Sequence, residues 1–159
     1  MTTFIKKSKI LAIILNYNNS SDTLNLIKCL EDTEVDIFLL DNGSKAGDLV
    51  PLKSGLNDYT VNIELQIEDK NHGFGGGVNI GLKFAEKYNY DYIVLLNNDL
   101  YFEKKDIFYH CIKLIESDDK IGCVGVKHKR ENGTIESLGG GVVHPLIGWG
   151  KLNKKSTRF

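Results

Sequence analysis

Four short polar runs hold most of the side chains in this chain that could do chemistry: Asn16-Tyr17-Asn18, Asp41-Asn42-Gly43-Ser44, Asn71-His72-Gly73 and Asn97-Asn98-Asp99. A single carboxylate can hold a hard divalent cation that completes its shell with diphosphate oxygens and water. Amide and phenol groups both donate and accept, so they suit nucleobase edges and sugar hydroxyls. Glycines let a ligand approach backbone N–H groups, and a helix starting just after them favours an anion. Each run also has a bland explanation, because Asn, Asp and Gly are the ordinary residues of turns. Position argues for more, since three of the four follow directly on an apolar run.

Those apolar runs are residues 10–15, 35–40 and 92–96. Short, apolar apart from Asp36 and partly β-branched, they are expected to be strands covered on both faces, as inside a parallel sheet. Residues 61–67 alternate and are expected to form a strand nearer an edge. Helical patterns lie between. Leu24, Ile27, Cys29 and Leu30 give a face behind an N-cap at Ser21 or Asp22. Residues 49–56 are weakly helical, because Pro51 suits only a first turn. A glycine-rich loop over 69–77 leads into a helix over 78–88, with Ile80, Leu82, Phe84 and Ala85 as its apolar side. A helix over 106–116, a strand over 121–126, a turn at Gly133-Thr134 and a short strand over 135–138 follow. Residues 139–159 are glycine-rich and then basic, and read as an irregular or exposed tail, partly disordered or packed against a neighbouring chain.

Alternating strands and helices imply parallel βαβ units: an α/β fold, a mostly parallel sheet flanked by helices, as one domain over 1–159. In such a sheet all strands end along one edge, so the four polar runs converge on one crevice.

Composition narrows the function classes. The 159 residues are 42% hydrophobic and 26% charged, a globular balance with enough chain for a real core. Twenty basic against 21 acidic residues argue against a protein built to coat nucleic acid. The cationic stretches 127–130 and 151–158 read as a solvated edge and a terminus. Cys29, Cys111 and Cys123 form no C-x-x-C pair, which disfavours a zinc or redox site; they are expected to be buried, reduced thiols of a cytosolic protein. Lys6, Lys7 and Lys9 precede an apolar run too short for a signal peptide, and no apolar stretch approaches the roughly 20 residues of a membrane span. The glycine stretch fits neither common phosphate loop. Counting from Gly73 or Gly75, the sixth place is Val78 or Ile80 where the dinucleotide pattern needs glycine, and Leu82 stands where the Walker pattern needs lysine.

The order Tyr17-Asn18, Asp41-Asn42-Gly43-Ser44, the run from Asn71 through Gly81, and Asn97-Asn98-Asp99 resembles the family 2 glycosyltransferases of GT-A fold. The likeness is closest to bacterial members that build rhamnose- or galactofuranose-containing polysaccharides, and it covers residues 10–150. The resemblance implies the donor-binding half of an inverting, metal-assisted transferase. Its donor would be a UDP- or dTDP-type nucleotide-diphospho-sugar, its cation Mg or Mn, and its acceptor a glycan or lipid-linked sugar of cell-envelope biosynthesis. It would be cytoplasmic, with the inner membrane face and homo-oligomerisation left open. By the same resemblance Asp41 binds the base or ribose, with Tyr17 and Asn18 beside it. Asn71, Gly73 and Asn79 shape the nucleotide pocket, and Asn97-Asn98-Asp99 takes the place of the D-x-D element with Asp99 on the metal.

The chain departs from the family pattern at three places. Ala46 lies where a second acidic residue often follows Asp41, Asn97 replaces the first D-x-D carboxylate, and no Glu-Asp pair follows Asp99 as general base. The catalytic base is unknown; Glu103, Asp106, Glu131, Glu136 and His144 are the groups to search. Two other readings stand beside a transferase: a nucleotide-binding module without transfer of its own, and a nucleotidyltransferase. The last would be expected to carry a glycine-rich loop with Arg and Lys after the first strand, where this chain has Asn16-Tyr17-Asn18-Asn19.

Overall fold

A computed structural model describes residues 9–102, 104–130, 132–137, 141–143 and 150–152. It divides into two compact units, Met1–Lys105 and Asp106–Phe159. The first unit alternates β1 (Ile10–Asn16), α1 (Ser20–Leu30), β2 (Asp36–Asp41), α2 (Ala46–Leu56), β3 (Ile63–Ile67), α3 (Gly73–Tyr88) and β4 (Tyr92–Asn97). The strands form one sheet in the order β3-β2-β1-β4, parallel at every pairing.

Side chains alternate along a strand, so each face of the sheet is set by parity. Leu11, Ile13 and Leu15 of β1 lie with Phe38 and Leu40 of β2 on the face that α3 covers through Ile80, Phe84 and Ala85. Ile14, Asn16, Leu39 and Asp41 belong to the other face, where α1 and α2 reach Asn16 through Thr23 and Asp48. β1 and β2 are covered on both sides, as their composition predicts. β4 is not: Ile93 is 42% exposed and Leu95 50%. The register aligns these two with Leu11 and Ile13, but α3 packs over β1 and β2 and leaves that face of β4 open. β3 is an edge strand, in keeping with its alternating sequence.

Three helix boundaries differ from expectation. α1 begins at Ser20, and its cap residue is Asn19 rather than Ser21 or Asp22; the Asn19 amide donates to the Asp22 carboxylate at 2.9 Å. α2 begins at Ala46 and carries Pro51 inside. The carbonyl this proline leaves without a donor belongs to Gly47, which is exposed to water. α3 begins at Gly73, so Gly75, Gly76 and Gly77 form its first turns instead of a loop.

Glycine costs about 1 kcal/mol against alanine within a helix, so close packing must offset it here. A Cβ on Gly77 would stand 3.0 Å from Leu15 Cδ1, and one on Gly81 2.6 Å from Ile13 Cγ2. These glycines, with Val78 and Ala85, are the side of α3 that meets the sheet. Leu82, expected on that side, is 38% exposed. Gly81→Ala is therefore expected to destabilise by about 1–3 kcal/mol, since the buried Ile13 has nowhere to move. Gly47→Ala, in open space on α2, is expected to stabilise by about 0.4–1 kcal/mol. Urea midpoints at constant m-value check both; a Gly81→Ala midpoint equal to wild type would remove the packing explanation.

The second unit contains α4 (Ile107–Ile115), as expected, followed by a turn in which Lys120 N–H donates to Asp118 Oδ1 at 2.9 Å. The strand expected over 121–126 is not formed; among the described strands none pairs with it. β5 (His128–Lys129) and β6 (Ile135–Ser137) pair antiparallel around Gly133, whose φ is +79°. β7 (Gly141–Val143) and β8 (Gly150–Leu152) pair antiparallel within the stretch expected to lack regular elements. Leu138, residues 144–149 and residues 153–159 lie outside the described residues. The cysteines are free; Cys29 and Cys111 are half-buried, and Cys123 is exposed where burial was expected. Among the described residues no helix is long and apolar enough to cross a membrane.

Candidate donor site at the sheet edge

From β1 the chain moves outward to β2 and β3, then returns to place β4 on the other side of β1. Ligands of open α/β sheets bind outside the strand C-termini at such a reversal. Here Asn16 ends β1 and Asn97 ends β4, with Leu15 in register with Asn97.

The floor is a buried polar network centred on Asn16, which has no exposed surface. Its amide N–H groups reach Asp41 Oδ2 at 2.8 Å, Asp48 Oδ2 at 2.9 Å and Ser44 Oγ at 3.2 Å. Its Oδ1 accepts from Thr23 Oγ1 at 2.8 Å. Asp41 Oδ1 accepts the Ser44 N–H at 3.0 Å, and Ser44 Oγ accepts the Asn18 N–H at 2.8 Å. Asn18, at φ +52°, accepts the Lys45 N–H at 2.9 Å. The loops after β1 and β2 are thus fastened to each other.

A second set of bonds fastens the β2 loop to the α3 start. Asn42 donates to Asn71 Oδ1 and Gly73 O, and accepts the His72 N–H at 2.9 Å. Asn71 Oδ1 also accepts the Gly73 N–H at 2.7 Å. Gly43 sits at φ +80°, where a Cβ would stand 2.8 Å from Asn71 N, so only glycine fits the turn. On the β4 side, Asn98 donates to Thr23 Oγ1 at 3.0 Å and to Asn19 O at 3.4 Å.

The residues singled out in the sequence therefore separate into two groups. Asp41 is fully buried, and the Asn18, Asn71 and Asn98 side chains hold loops. Tyr17, half exposed, follows the end of β1, and Asn97 and Asp99, also exposed, lie at the end of β4. Gly73 opens α3 at φ +71°, and Asn79 lies exposed on α3 instead of in a loop. A cavity of about 190 Å³ at this edge is lined by Leu15, Phe74, Leu96, Asn97, Asn98 and Asp99.

Two participants were missed. Phe74 was read only as part of a glycine loop. Asp48 supplies a second carboxylate close to Asp41, where Ala46 had suggested none; its signal is an acidic residue in the first turn of the helix that follows Ser44. Burial pushes the Asp48 carboxyl upward, but hydrogen bonds from Asn16, Ser20 and Ser44 outweigh this and hold it below its ordinary 3.8. A pKa lower in the folded state than in the unfolded chain means that the unfolded chain binds more protons in between. Asp48 then stabilises the fold above the unfolded pKa, and the effect is lost as pH falls through the folded value. Asp48→Asn is expected to flatten the loss of urea resistance below about pH 4. An unchanged pH slope would overturn this.

Glu68, Asp69 and His72 bring three ligand atoms within 4.8 Å of one another, a second grouping that could hold a cation. Glu68 is already occupied, by Gln66 Nε2 at 2.7 Å and His72 Nε2 at 3.0 Å. The group also lies at the start of α3, where the helix dipole opposes a cation.

Comparisons with known proteins bear on the family and the fold. The chain is 31% identical over 98 residues to an uncharacterised protein of Methanocaldococcus jannaschii, a match covering 61% of this chain and 43% of that one. It is 29% identical over 98 residues to the low-salt glycan biosynthesis hexosyltransferase Agl10 of Haloferax volcanii, covering 60% of this chain and 29% of that one. These matches span less than half the length of either relative. The crystal structure of Staphylococcus aureus TarS, residues 1–349, superposes with a TM-score of 0.56 at 20% identity, covering 69% of this chain and 32% of TarS, which shows a shared fold. The model described as Glycosyl transferase family 2 matches residues 11–157, and the chain, with its parallel sheet of GT-A type, belongs to the family 2 glycosyltransferases.

Proposed function

We propose that this chain binds the donor of an inverting, metal-assisted glycosyl transfer, taking a UDP- or dTDP-type nucleotide-diphospho-sugar and serving a glycan or lipid-linked acceptor of the cell envelope. One observation carries the reading: Asp99 and Asn97 open on a cavity at the reversal of strand order, while the buried network behind them holds the loops still. The exposed Tyr17 ring offers a face to the base. Asp41 acts on the nucleoside through the loop it fastens.

A magnesium or manganese ion suits Asp99. The carboxylate is exposed, and among the described residues no hydrogen bond engages it; such ions take one or two carboxylates with phosphate oxygens and water. When bound, the ion would supply Lewis-acid stabilisation of the leaving diphosphate. Asp99 would hold it, and Asn97 could orient a phosphate or hydroxyl oxygen. An acceptor hydroxyl would then displace the diphosphate from the opposite face of the sugar.

A specific observation favours the alternative of a binding module without its own transfer. Among the described residues Asp99 is the one titratable group lining the cavity, and attack by a hydroxyl needs a base within hydrogen-bond reach. Asp106 pairs with His110 and Glu136 with Arg130 in the second unit, while Glu103, Glu131 and His144 lie outside the described residues.

Calorimetry with UDP, dTDP and their sugar conjugates, with and without manganese, tests the proposal. Manganese is expected to tighten diphosphate binding. Absence of any nucleoside diphosphate binding would overturn donor recognition; binding without sugar release to any offered acceptor would favour the module.

A further inference from the structure

We infer that Phe74 sets specificity for the transferred sugar: its ring is the apolar wall of the sugar subsite and stacks on the C–H face of that ring. This rests on the donor-site reading and adds a substrate-facing residue to it. Phe74 is 61% exposed at the second residue of α3, so it contributes little to the core. Gly73, Gly75 and Gly76 flank it without side chains, which leaves the ring face uncrowded.

The cavity lining is divided in the way a sugar is divided. Phe74, Leu15 and Leu96 are its apolar residues, and Asn97, Asn98 and Asp99 its polar ones. A sugar ring has a C–H face that meets the negative face of an aromatic ring, and hydroxyl edges that need donors and acceptors. Leu15 is held in place behind by the close approach of Gly77. Asn98 is committed to Thr23 and Asn19, so Asn97 is the amide left to meet a hydroxyl. At about 190 Å³ the space is smaller than the ~300–1,000 Å³ of pockets that enclose a whole drug-sized ligand, which fits one sugar ring with the nucleotide outside it.

The test compares wild type, Phe74→Ala and Phe74→Tyr by calorimetry with manganese, using UDP, dTDP, UDP-glucose and dTDP-rhamnose. The quantity read is the ratio of affinities for the conjugate that binds best and its parent diphosphate. Phe74→Ala is expected to lower that ratio by about 3–10-fold while leaving the parent diphosphate within twofold, and Phe74→Tyr to restore it. An unchanged thermal midpoint shows that the exposed substitution leaves the fold intact. Equal losses for diphosphate and conjugate would place Phe74 on the nucleotide and overturn the inference, as would no loss at all. Failure of wild type to bind any of the diphosphates would instead bring down the donor-site reading and this inference with it.

Discussion

Asp99→Asn is expected to abolish the tightening of nucleoside diphosphate binding by manganese, with a thermal midpoint close to wild type. The residue is exposed at the cavity mouth, so little of the fold depends on it. Replacing a carboxylate by an amide keeps the shape and removes the charge that would hold the cation. In a transfer-competent protein the rate is expected to fall by about 10²–10³-fold, the usual loss when one electrostatic stabiliser of a developing anion is removed. Calorimetry of UDP and dTDP at several manganese concentrations reads the effect. Equal metal dependence in wild type and variant would take Asp99 off the cation. Asp69→Asn is the matched control, because Glu68, Asp69 and His72 offer the other grouping; loss of metal dependence there would relocate the ion.

The largest effect on stability is expected at Asn16. Asn16→Leu removes the donor shared by Asp41 and Asp48 while keeping a similar volume. Asp41 has no exposed surface, so its charge would be left buried with one partner fewer. A buried group left without its hydrogen-bond partner costs about 1–3 kcal/mol, more when charged, and we expect a loss of at least about 2 kcal/mol from urea unfolding. The double variant Asn16→Leu/Asp48→Ala should lose less than the sum of the single changes, because both cut the same network. Additive losses, or a loss below about 1 kcal/mol, would show that the network does not hold the loops.

Several elements were legible because their signal is local. Residues 10–15 are apolar without interruption and 35–40 apolar but for Asp36, and the structure covers β1 and β2 on both faces. The alternation over 61–67 correctly placed β3 at an edge. Asn89 closes α3 in the left-handed region with φ +54°, a conformation Asn tolerates. Where the reading failed, a distant partner decided. The same apolar character that marks β1 marks β4, yet Ile93 and Leu95 face outward because of where α3 crosses the sheet. Gly77, which promises a loop by propensity, lies within the helix, where Leu15 and Leu40 press against the side where a Cβ would be. Residues 121–126 have a strand's composition, but β-structure forms only where a ladder partner is at hand.

The sequence by itself determined the alternation of strands and helices, the convergence of the polar runs on one sheet edge, and the family. Each of these depends on residue type and order along the chain: period, turn chemistry and motif spacing. Only the tertiary structure decided which of those polar residues hold the edge together and which meet a ligand. Asp41 and Asp99 are both carboxylates at strand ends and look equivalent on paper. β2 lies inside the sheet with α2 beside it, so Asp41 is enclosed by Asn16 and Ser44. β4 lies at the margin, so Asp99 remains open beside Phe74. Burial is a property of what packs against a residue, and those partners come from parts of the chain whose placement no local pattern specifies.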